Sequence, residues 1–345
     1  MMEKNSQAYQ LLTLICMSGE CSEKAVSIFI PEPDQRNRLL AKLIANKLVK
    51  KYQKDNITGL RLTRKSKEFL YTSEPDRFSL YLSNGADYSM RRSSITTRNR
   101  QHGISETIAI IQHVCMEKYQ RQENKPNIST FLSAKEVKSN GTIINSKLTG
   151  VWLNENIPWV CYHTAEESFC WYENVEKRAA ALVHSMIKTA DTKTSSVNAL
   201  LFGNTMTQAK MYLENPKMPM ALQNSHFHRF CFIPLDKNGI MLLQLLKNRE
   251  LYENLFSILT EDLHKKEMNY ILNDVYNKDG LPVLVCIDCD LKRLVSFKTQ
   301  LDYANCSGEV ICFDFQKAGI LEFCNDNIEI STVDSERVRE LFLSC

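Results

Sequence analysis

Hydrophobic residues in the first 82 positions recur at the spacing of helices. The apolar positions that predict a first helix and a short second helix are Tyr9, Leu12, Ile15, Cys16, Ala25 and Ile28. Pro31 and Pro33 then end the second helix, and a third helix is predicted over residues 34–46. Three short helices in sequence predict a compact helical unit at the N-terminal end.

The third predicted helix has two different faces. Its apolar positions, which we expect to be buried, are Leu39, Leu40, Leu43 and Ile44. On another face Gln35, Arg38 and Lys42 follow one another at i, i+3 and i+7. An exposed face that is polar and basic is what a DNA recognition helix needs.

A hairpin follows the third helix. Residues 48–53 and 60–62 predict two strands joined by the turn 54–59, and Thr63 is placed to cap a last helix. Three helices followed by a hairpin are the order of a winged-helix module, in which the third helix enters the major groove and the hairpin is the wing. The alternative is a small bundle with a hairpin that only holds protein partners.

Basic charge is concentrated at the same end of the chain. The net charge is +3, but residues 1–100 hold 18 basic and 10 acidic residues, whereas the remainder hold 25 and 30. The residues that we predict to contact duplex DNA are Gln35, Arg38, Lys42, Lys50, Lys51, Lys54, Arg61 and Arg64. Further residues that we expect to neutralise phosphates are Lys65, Lys67, Arg91, Arg92, Arg98 and Arg100. The alternative for the basic residues is a solvated surface with an arginine-rich linker.

The pattern divides the chain into three parts. We predict a DNA-binding domain over residues 1–82, a basic linker and connecting helix over 83–127, and an α/β domain over 128–345. The connecting helix has an apolar stripe, Ile104, Ile108, Ile111 and Cys115, which predicts either a dimer seam or a core helix. No apolar run approaches the length of a membrane span and no secretory leader is visible, so we expect a cytoplasmic protein without membrane contact.

The last 218 residues alternate between short apolar strands and helices. A hairpin is predicted from strands 147–153 and 157–162, and a helix over 174–189 follows it. Later strands are predicted at 199–202, 227–233, 281–287 and 310–313, with helices at 205–213, 240–259, 291–304 and 334–343. This alternation predicts an α/β fold. The sequence shows no internal repeat.

Candidate chemistry in this part of the chain is sparse. There is no glycine-rich phosphate loop, so we expect no cofactor. Cys286 and Cys289 form a C-x-x-C without a second pair, and we interpret all twelve cysteines as reduced and mostly buried thiols. His226 and His228 are neighbours on the same face of a predicted strand and could form a metal pair, but no third ligand can be named, so we interpret them as surface or hydrogen-bonded histidines.

The stronger candidate for a metal site is the pair Asp288 and Asp290, at the end of the strand predicted over 281–287. Two carboxylates at a strand end are able to hold Mg²⁺, and D-x-D is similar to the acidic motif of Toprim domains. Those domains also need a glutamate after an earlier strand, and the comparable strand here ends in Phe202-Gly203-Asn204. The alternative, which we prefer, is that Asp290 caps the helix 291–304, so we predict no metal site and no catalytic residue.

Two blocks of the sequence can be compared with known families. The first block is R-L-L-A-K-L-I-A-N-K-L-V-K-K-Y from Arg38, with G-L-R-L-T-R-K-S-K-E-F-L from Gly59. The second is N-S-K-L-T-G-V-W from Asn145, V-C-Y-H-T from Val160 and W-Y-E from Trp171. Both blocks resemble the replication-relaxation family of conjugative transposons and mobilisable plasmids of Gram-positive bacteria. The resemblance implies a restriction-endonuclease-like second domain, whose active members carry Asp and Glu-x-Lys on strands. Glu173 and Glu176 lie at a helix start instead, which indicates a degenerate site.

We therefore expect a DNA-binding accessory or regulatory protein of a mobile genetic element, active in replication, mobilisation or its control. Its partners would be double-stranded DNA, a relaxase or other transfer proteins, and a second copy of the chain. One alternative is a Mg²⁺-dependent nuclease or topoisomerase-like enzyme that uses Asp288 and Asp290. Another is a plain winged-helix transcriptional repressor.

Overall fold

The computed structural model describes residues 3–4, 6–82, 94–115, 129–139, 143, 146–154, 157–164, 172–187, 196–213, 226–265 and 271–342. Arg91, Arg92, Asn145 and Trp171, and with them parts of the predicted linker and of the second family block, lie outside this set. Within the described residues the chain has a mixed α and β fold with several sheets. None of the described helices combines the length and the apolar character that a membrane crossing needs.

Helices and strands alternate along most of the described chain. The helices are α1 (Gln7–Ser18), α2 (Glu23–Phe29), α3 (Pro33–Ala45), α4 (Arg64–Ser73), α5 (Pro75–Leu82), α6 (Ile95–Ile111), α7 (Ala134–Ser139), α8 (Glu173–Ile187), α9 (Met206–Leu213), α10 (Lys237–Lys247), α11 (Arg249–Leu259), α12 (Leu291–Ala304), α13 (Lys317–Leu321) and α14 (Ser335–Phe342). The strands are β1 (Cys21–Ser22), β2 (Val49–Lys54), β3 (Ile57–Leu62), β4 (Thr130–Ser133), β5 (Gly150–Asn154), β6 (Ile157–His163), β7 (Asn198–Gly203), β8 (Phe230–Pro234), β9 (His264–Lys265), β10 (Val275–Tyr276), β11 (Pro282–Val285), β12 (Gly308–Phe313) and β13 (Ile328–Val333).

The N-terminal unit is formed by α1 to α5 and a three-stranded antiparallel sheet in the order β1-β3-β2. Side-chain hydroxyls begin three of its helices: Ser6 caps α1, Ser22 caps α2, and Thr63 caps α4. The cap at Thr63 confirms the sequence prediction. These local signals explain why helix boundaries in this unit were readable from the residues.

Helix α3 is less buried than its apolar pattern predicts. Leu43 is its one buried residue, Leu39 and Leu40 are half-buried, and Ile44 is 38% exposed. The prediction that Ile44 is buried is therefore wrong. The helix packs along a narrow stripe, so most of its surface faces solvent.

Helix α6 is a core element shared by the two halves of the chain. It contacts α1, α2 and β1 of the N-terminal unit and also β5, β6 and α10. From Ser105 to Ile111 every residue is buried, whichever way it points. A helix buried all around its axis indicates a core position, which favours the core interpretation of its apolar stripe over the dimer seam.

The rest of the described chain forms two five-stranded mixed sheets. The first has the order β4-β5-β6-β7-β8 and the second the order β9-β10-β11-β12-β13 when it is read from β9. In each sheet the first three strands are antiparallel and the last three are parallel. In both sheets, helices connect the parallel strands. The two sheets therefore share one topology, although the sequence shows no internal repeat.

Further elements differ from the sequence prediction. The single helix predicted over 240–259 is two helices, because Asn248 ends α10 in an extended conformation and caps α11 with its side chain. Strand β13 was not predicted, and neither were the shorter strands β1, β4, β9 and β10, which have two to four residues each.

Candidate nucleic-acid interface

The exposed face of α3 carries the three residues that the sequence singled out on this helix. Gln35, Arg38 and Lys42 are all exposed. The side chain of Gln35 donates a hydrogen bond to Gln7 at 3.0 Å, and Arg38 Nε donates one to the carbonyl of Asp34, one turn back, at 3.2 Å. Their contacts are local and solvent-facing, so these side chains are free to reach a ligand laid along the helix.

The hairpin of β2 and β3 turns more tightly than predicted. The strands continue to Lys54 and resume at Ile57, so the turn is only Asp55-Asn56. Both turn residues have positive φ, 53° and 59°, and Asp and Asn tolerate this conformation better than most residues. The loop predicted over six residues is therefore mostly strand.

The predicted basic contacts on and after the hairpin lie in different surroundings. Lys51 is exposed and lies 3.4 Å from Glu23 Oε1, whereas Lys50 and Lys54 are half-buried. Arg64 is exposed and pairs with Glu68 at 2.7 Å, one turn further along α4. Exposed pairs of this kind contribute little to stability and exchange readily with other anions.

Arg61 does not belong to this surface. It is 7% exposed, and its guanidinium lies 2.5 Å from Glu20 Oε2 and stacks over the ring of Tyr52. Arg98, which the sequence also grouped with the phosphate-binding cations, is fully buried against the same carboxylate at 2.7 Å. The prediction of a DNA contact from either arginine is corrected, because both guanidinium groups are buried and bonded to Glu20 inside the fold.

Arg98 joins the hairpin to α6. Its guanidinium donates hydrogen bonds to the carbonyl oxygens of Tyr52, Lys54 and Ile57, at 3.2, 2.6 and 2.9 Å. These carbonyls lie at the outer end of the hairpin, where an isolated two-stranded ribbon is least stable. The position of the hairpin is therefore set by the helix that also packs against the first mixed sheet.

Glu20 is the acceptor at the centre of this cluster. Burial alone would raise its pKa, but hydrogen bonds from His102, Arg98 and Arg61 hold the pKa of the carboxyl at about 2. His102 of α6 completes the set at 2.8 Å. We refer to Glu20, Arg61, Arg98 and His102 as the Glu20 cluster.

A second buried carboxylate, Glu106 of α6, joins this helix to the N-terminal unit and to β6 of the first mixed sheet. Glu106 accepts a hydrogen bond from Ser22 Oγ at 2.8 Å and lies 3.1 Å from His163 Nε2 on β6. Burial would raise the pKa of Glu106, and the bond from His163 lowers it below its ordinary value. The N-terminal unit, α6 and the first mixed sheet therefore meet through two polar networks.

The acidic pair Asp288 and Asp290 lies where the two mixed sheets join. Asp290 Oδ1 accepts hydrogen bonds from Lys292 N and Arg293 N at the start of α12, which confirms the helix-cap interpretation. Asp288 pairs with Arg229, which precedes β8. The backbone of Asp290 also bridges to Cys231 on β8. The pair thus holds the second sheet against the edge of the first.

Burial has its effect on the pKa of Asp290. Asp290 is fully buried, and burial together with the nearby Asp288 raises its pKa, while Arg229 opposes the shift. Within the described part of the chain, no group of three or more His, Cys, Asp or Glu residues is arranged to hold a metal ion. The guanidinium of Arg229 contacts both carboxylates, as an ion pair with Asp288 and at 3.7 Å from Asp290 Oδ2.

The remaining candidates are separate from one another. Cys286 and Cys289 are buried free thiols, and Cys289 Sγ lies 3.6 Å from Met206 Sδ. His226 and His228 are exposed and precede β8 instead of lying within it. Neither pair forms a recognisable site with neighbouring described residues.

The chain was compared with protein-family models, curated proteins and solved structures. No protein-family model, no curated protein and no solved structure matches the chain.

Proposed function

We propose that this protein binds duplex DNA through α3 and the β2–β3 hairpin, as a winged-helix module. The observation that carries the proposal is the exposed face of α3, with Gln35, Arg38 and Lys42 on one side of a helix that packs by a narrow stripe. The order of helices and strands around it supports the same module.

In the proposed complex α3 lies in the major groove. Gln35 and Arg38, near its N-terminal end, face base edges, and Lys42 lies against the backbone. Lys51 at the hairpin and Arg64 at the start of α4 exchange their weak surface pairs for phosphates. Lys50 and Lys54, both half-buried, contribute at longer range.

The α/β part would then supply the accessory role that the family resemblance implies. That role is in the replication or mobilisation of a mobile genetic element, or in the control of these processes. The protein would act in the cytoplasm, and its partners would be a relaxase or a second copy of this chain. A restriction-endonuclease-like domain of an active kind needs Asp and Glu-x-Lys on its strands, and β5 and β6 carry neither. We therefore propose binding, without nuclease activity.

The experiment is a salt titration of duplex DNA binding by the full chain. Each phosphate contact contributes about 0.9 to the slope of log K against log salt. We expect Lys42→Ala to reduce the slope by about 1, and Arg38→Ala to cost about 1–3 kcal/mol if it contacts a base. Lys278 is an exposed lysine in the turn between β10 and β11, so Lys278→Ala is the matched control and should change neither quantity. Equal binding by all four proteins would refute the proposed surface.

A further inference from the structure

A cavity of about 270 Å³ lies between the two mixed sheets. The side of the first sheet contributes residues that follow β7 and residues of β8 and α10, and the second sheet contributes residues that follow β11 and β12. Ligands of open α/β sheets bind outside the carboxyl ends of the parallel strands, and small-molecule pockets form preferentially between such units. The cavity is therefore in the part of this fold where a small molecule is expected.

The interior of the cavity is mostly apolar. Its buried apolar lining residues are Met206, Phe232, Leu242 and Cys289. Gln316 is buried too, but its carboxamide is bonded to the backbone of Phe313 and Ile287. Cys289 has a φ of 54°, which residues other than glycine seldom adopt, and such strain is concentrated at functional sites. The volume equals that of about nine water molecules in the liquid, so the cavity suits a ligand of roughly ten non-hydrogen atoms.

One part of the rim carries hydrogen-bond donors and lies near a positive charge. Lys24 of α2 donates a hydrogen bond to Asn204 Oδ1, and the carboxamide nitrogen of Asn204 has no partner among the described residues. Burial lowers the pKa of Lys24, and the charges of Glu106 and Asp236 oppose this shift. Thr205 Oγ1 accepts a hydrogen bond at 3.3 Å from an amide of α9, and its own proton stays available. Asn204 and Thr205 lie at the N-terminal end of α9, where negative charge is favoured, so this part of the rim suits a carboxylate.

The other part of the rim carries two carboxylates. Glu322 accepts a hydrogen bond from Thr207 Oγ1 through Oε1, and Asp236 caps α10 through Oδ1. Glu322 Oε2 has no hydrogen bond with a described residue, and Asp236 Oδ2 accepts only one, of 3.5 Å, from Asn238. Lys210 donates to the backbone carbonyl of Glu322, and no lysine or arginine is among the described residues that line the cavity. Two partly free carboxylates suit an ammonium group.

We propose that this cavity binds a free α-amino acid with an apolar side chain. The carboxylate of the ligand lies against Asn204 and Thr205, its ammonium group lies against Glu322, and its side chain fills the interior. Molecules of this class carry both charges a few ångströms apart and have about ten non-hydrogen atoms, so they match the rim and the volume. A ligand with a single charge matches only one part of the rim. The site does not depend on the α3 surface.

The test is a calorimetric titration of the full chain with L-leucine. Two matched probes each lack one charge of leucine: isopentylamine has no carboxylate, and 4-methylpentanoate has no ammonium group. We expect L-leucine to bind with a dissociation constant of about 1 mM or below. Each matched probe should bind at least about tenfold more weakly, because one charged contact is lost.

Two variants test the two parts of the rim separately. Glu322→Gln should weaken L-leucine binding at least about tenfold but leave 4-methylpentanoate binding unchanged, because that probe has no ammonium group. Asn204→Ala should weaken the binding of L-leucine and of 4-methylpentanoate and leave isopentylamine unchanged. Glu329→Gln, at an exposed position of β13, is the matched control and should bind L-leucine as the wild type does.

The wild-type protein supplies a readout that does not depend on variant folding. L-leucine should slow amide hydrogen exchange in residues 204–209, and also in residues 23–29 because Lys24 lies beside the site. The proposal is overturned if leucine protects neither segment, if either matched probe binds as tightly as leucine, or if folded Glu322→Gln binds leucine as the Glu329→Gln control does. Because no DNA is present, failure here is distinguishable from failure of the proposed α3 surface.

Discussion

Replacing Arg98 with methionine removes a charge that lies wholly inside the fold. The variant keeps most of the side-chain volume but deletes the pair with Glu20 and the donors to the carbonyls of Tyr52, Lys54 and Ile57. Removing one partner of a buried ion pair costs about 3–5 kcal/mol, because the other charge stays buried. Arg61 and His102 still contact Glu20, so we expect a cost of about 3 kcal/mol.

Hydrogen exchange measures this cost where it occurs. A loss of about 3 kcal/mol corresponds to exchange roughly 100-fold faster, because 1.4 kcal/mol is a factor of ten. We expect this acceleration in the amides of β2 and β3, which Arg98 holds against α6, and a smaller change in α8 or α12. Measured by mass spectrometry on the intact chain, the effect does not require the whole protein to unfold in two states.

Arg38→Met is the matched control, because Arg38 is exposed and bonds only to a carbonyl of its own helix. It should leave exchange in the hairpin unchanged. Hairpin exchange in Arg98→Met within about threefold of wild type would refute the reasoning, since it would mean that α6 does not hold the hairpin.

Three further expectations follow from the same contacts. The pKa of Glu20, about 2 when folded, lies below its ordinary value of 4.5, so its stabilisation is present above pH 4.5 and is lost as the pH falls towards 2; thermal melts of Glu20→Gln should show a weaker acid dependence in that window. Asp288→Asn should cost about 1–2 kcal/mol in urea denaturation, because it weakens the pair with Arg229, which is part-exposed and retains Asp290 as a partner, and wild-type melting should not respond to Mg²⁺. Gly59→Ala should destabilise the chain by about 1–3 kcal/mol, because a Cβ there would lie 2.3 Å from Glu20 Oε1; a melt unchanged from wild type would contradict that packing.

Local signals were the part of the fold that the sequence predicted well. Helix α12 was predicted over 291–304 and is observed as Leu291–Ala304, because Asp290 caps its start and a regular apolar face follows. Thr63 marks the start of α4 for the same reason. Caps act within three residues, so they are readable without knowing the tertiary structure.

Tertiary partners were the part that the sequence did not predict. Arg98 and Arg100 look alike in an arginine-rich stretch, yet one is buried against Glu20 and the other donates a hydrogen bond to the carbonyl oxygen of Ser146. The carboxylate that receives Arg98 lies 78 positions earlier in the chain. The shared topology of the two mixed sheets was also hidden, because β9 and β10 have only two residues each.

In the proposed complex, α3 lies against DNA. A photoreactive benzoylphenylalanine placed at position 42, in the full chain, tests this contact directly, because Lys42 is exposed and its replacement leaves the Glu20 cluster intact. On irradiation with a random-sequence duplex at low salt, we expect a covalent protein–DNA product from this position and none from the same residue at position 278. Crosslinking at position 278 but not at position 42, or at neither while the duplex still binds, would contradict the proposed interface.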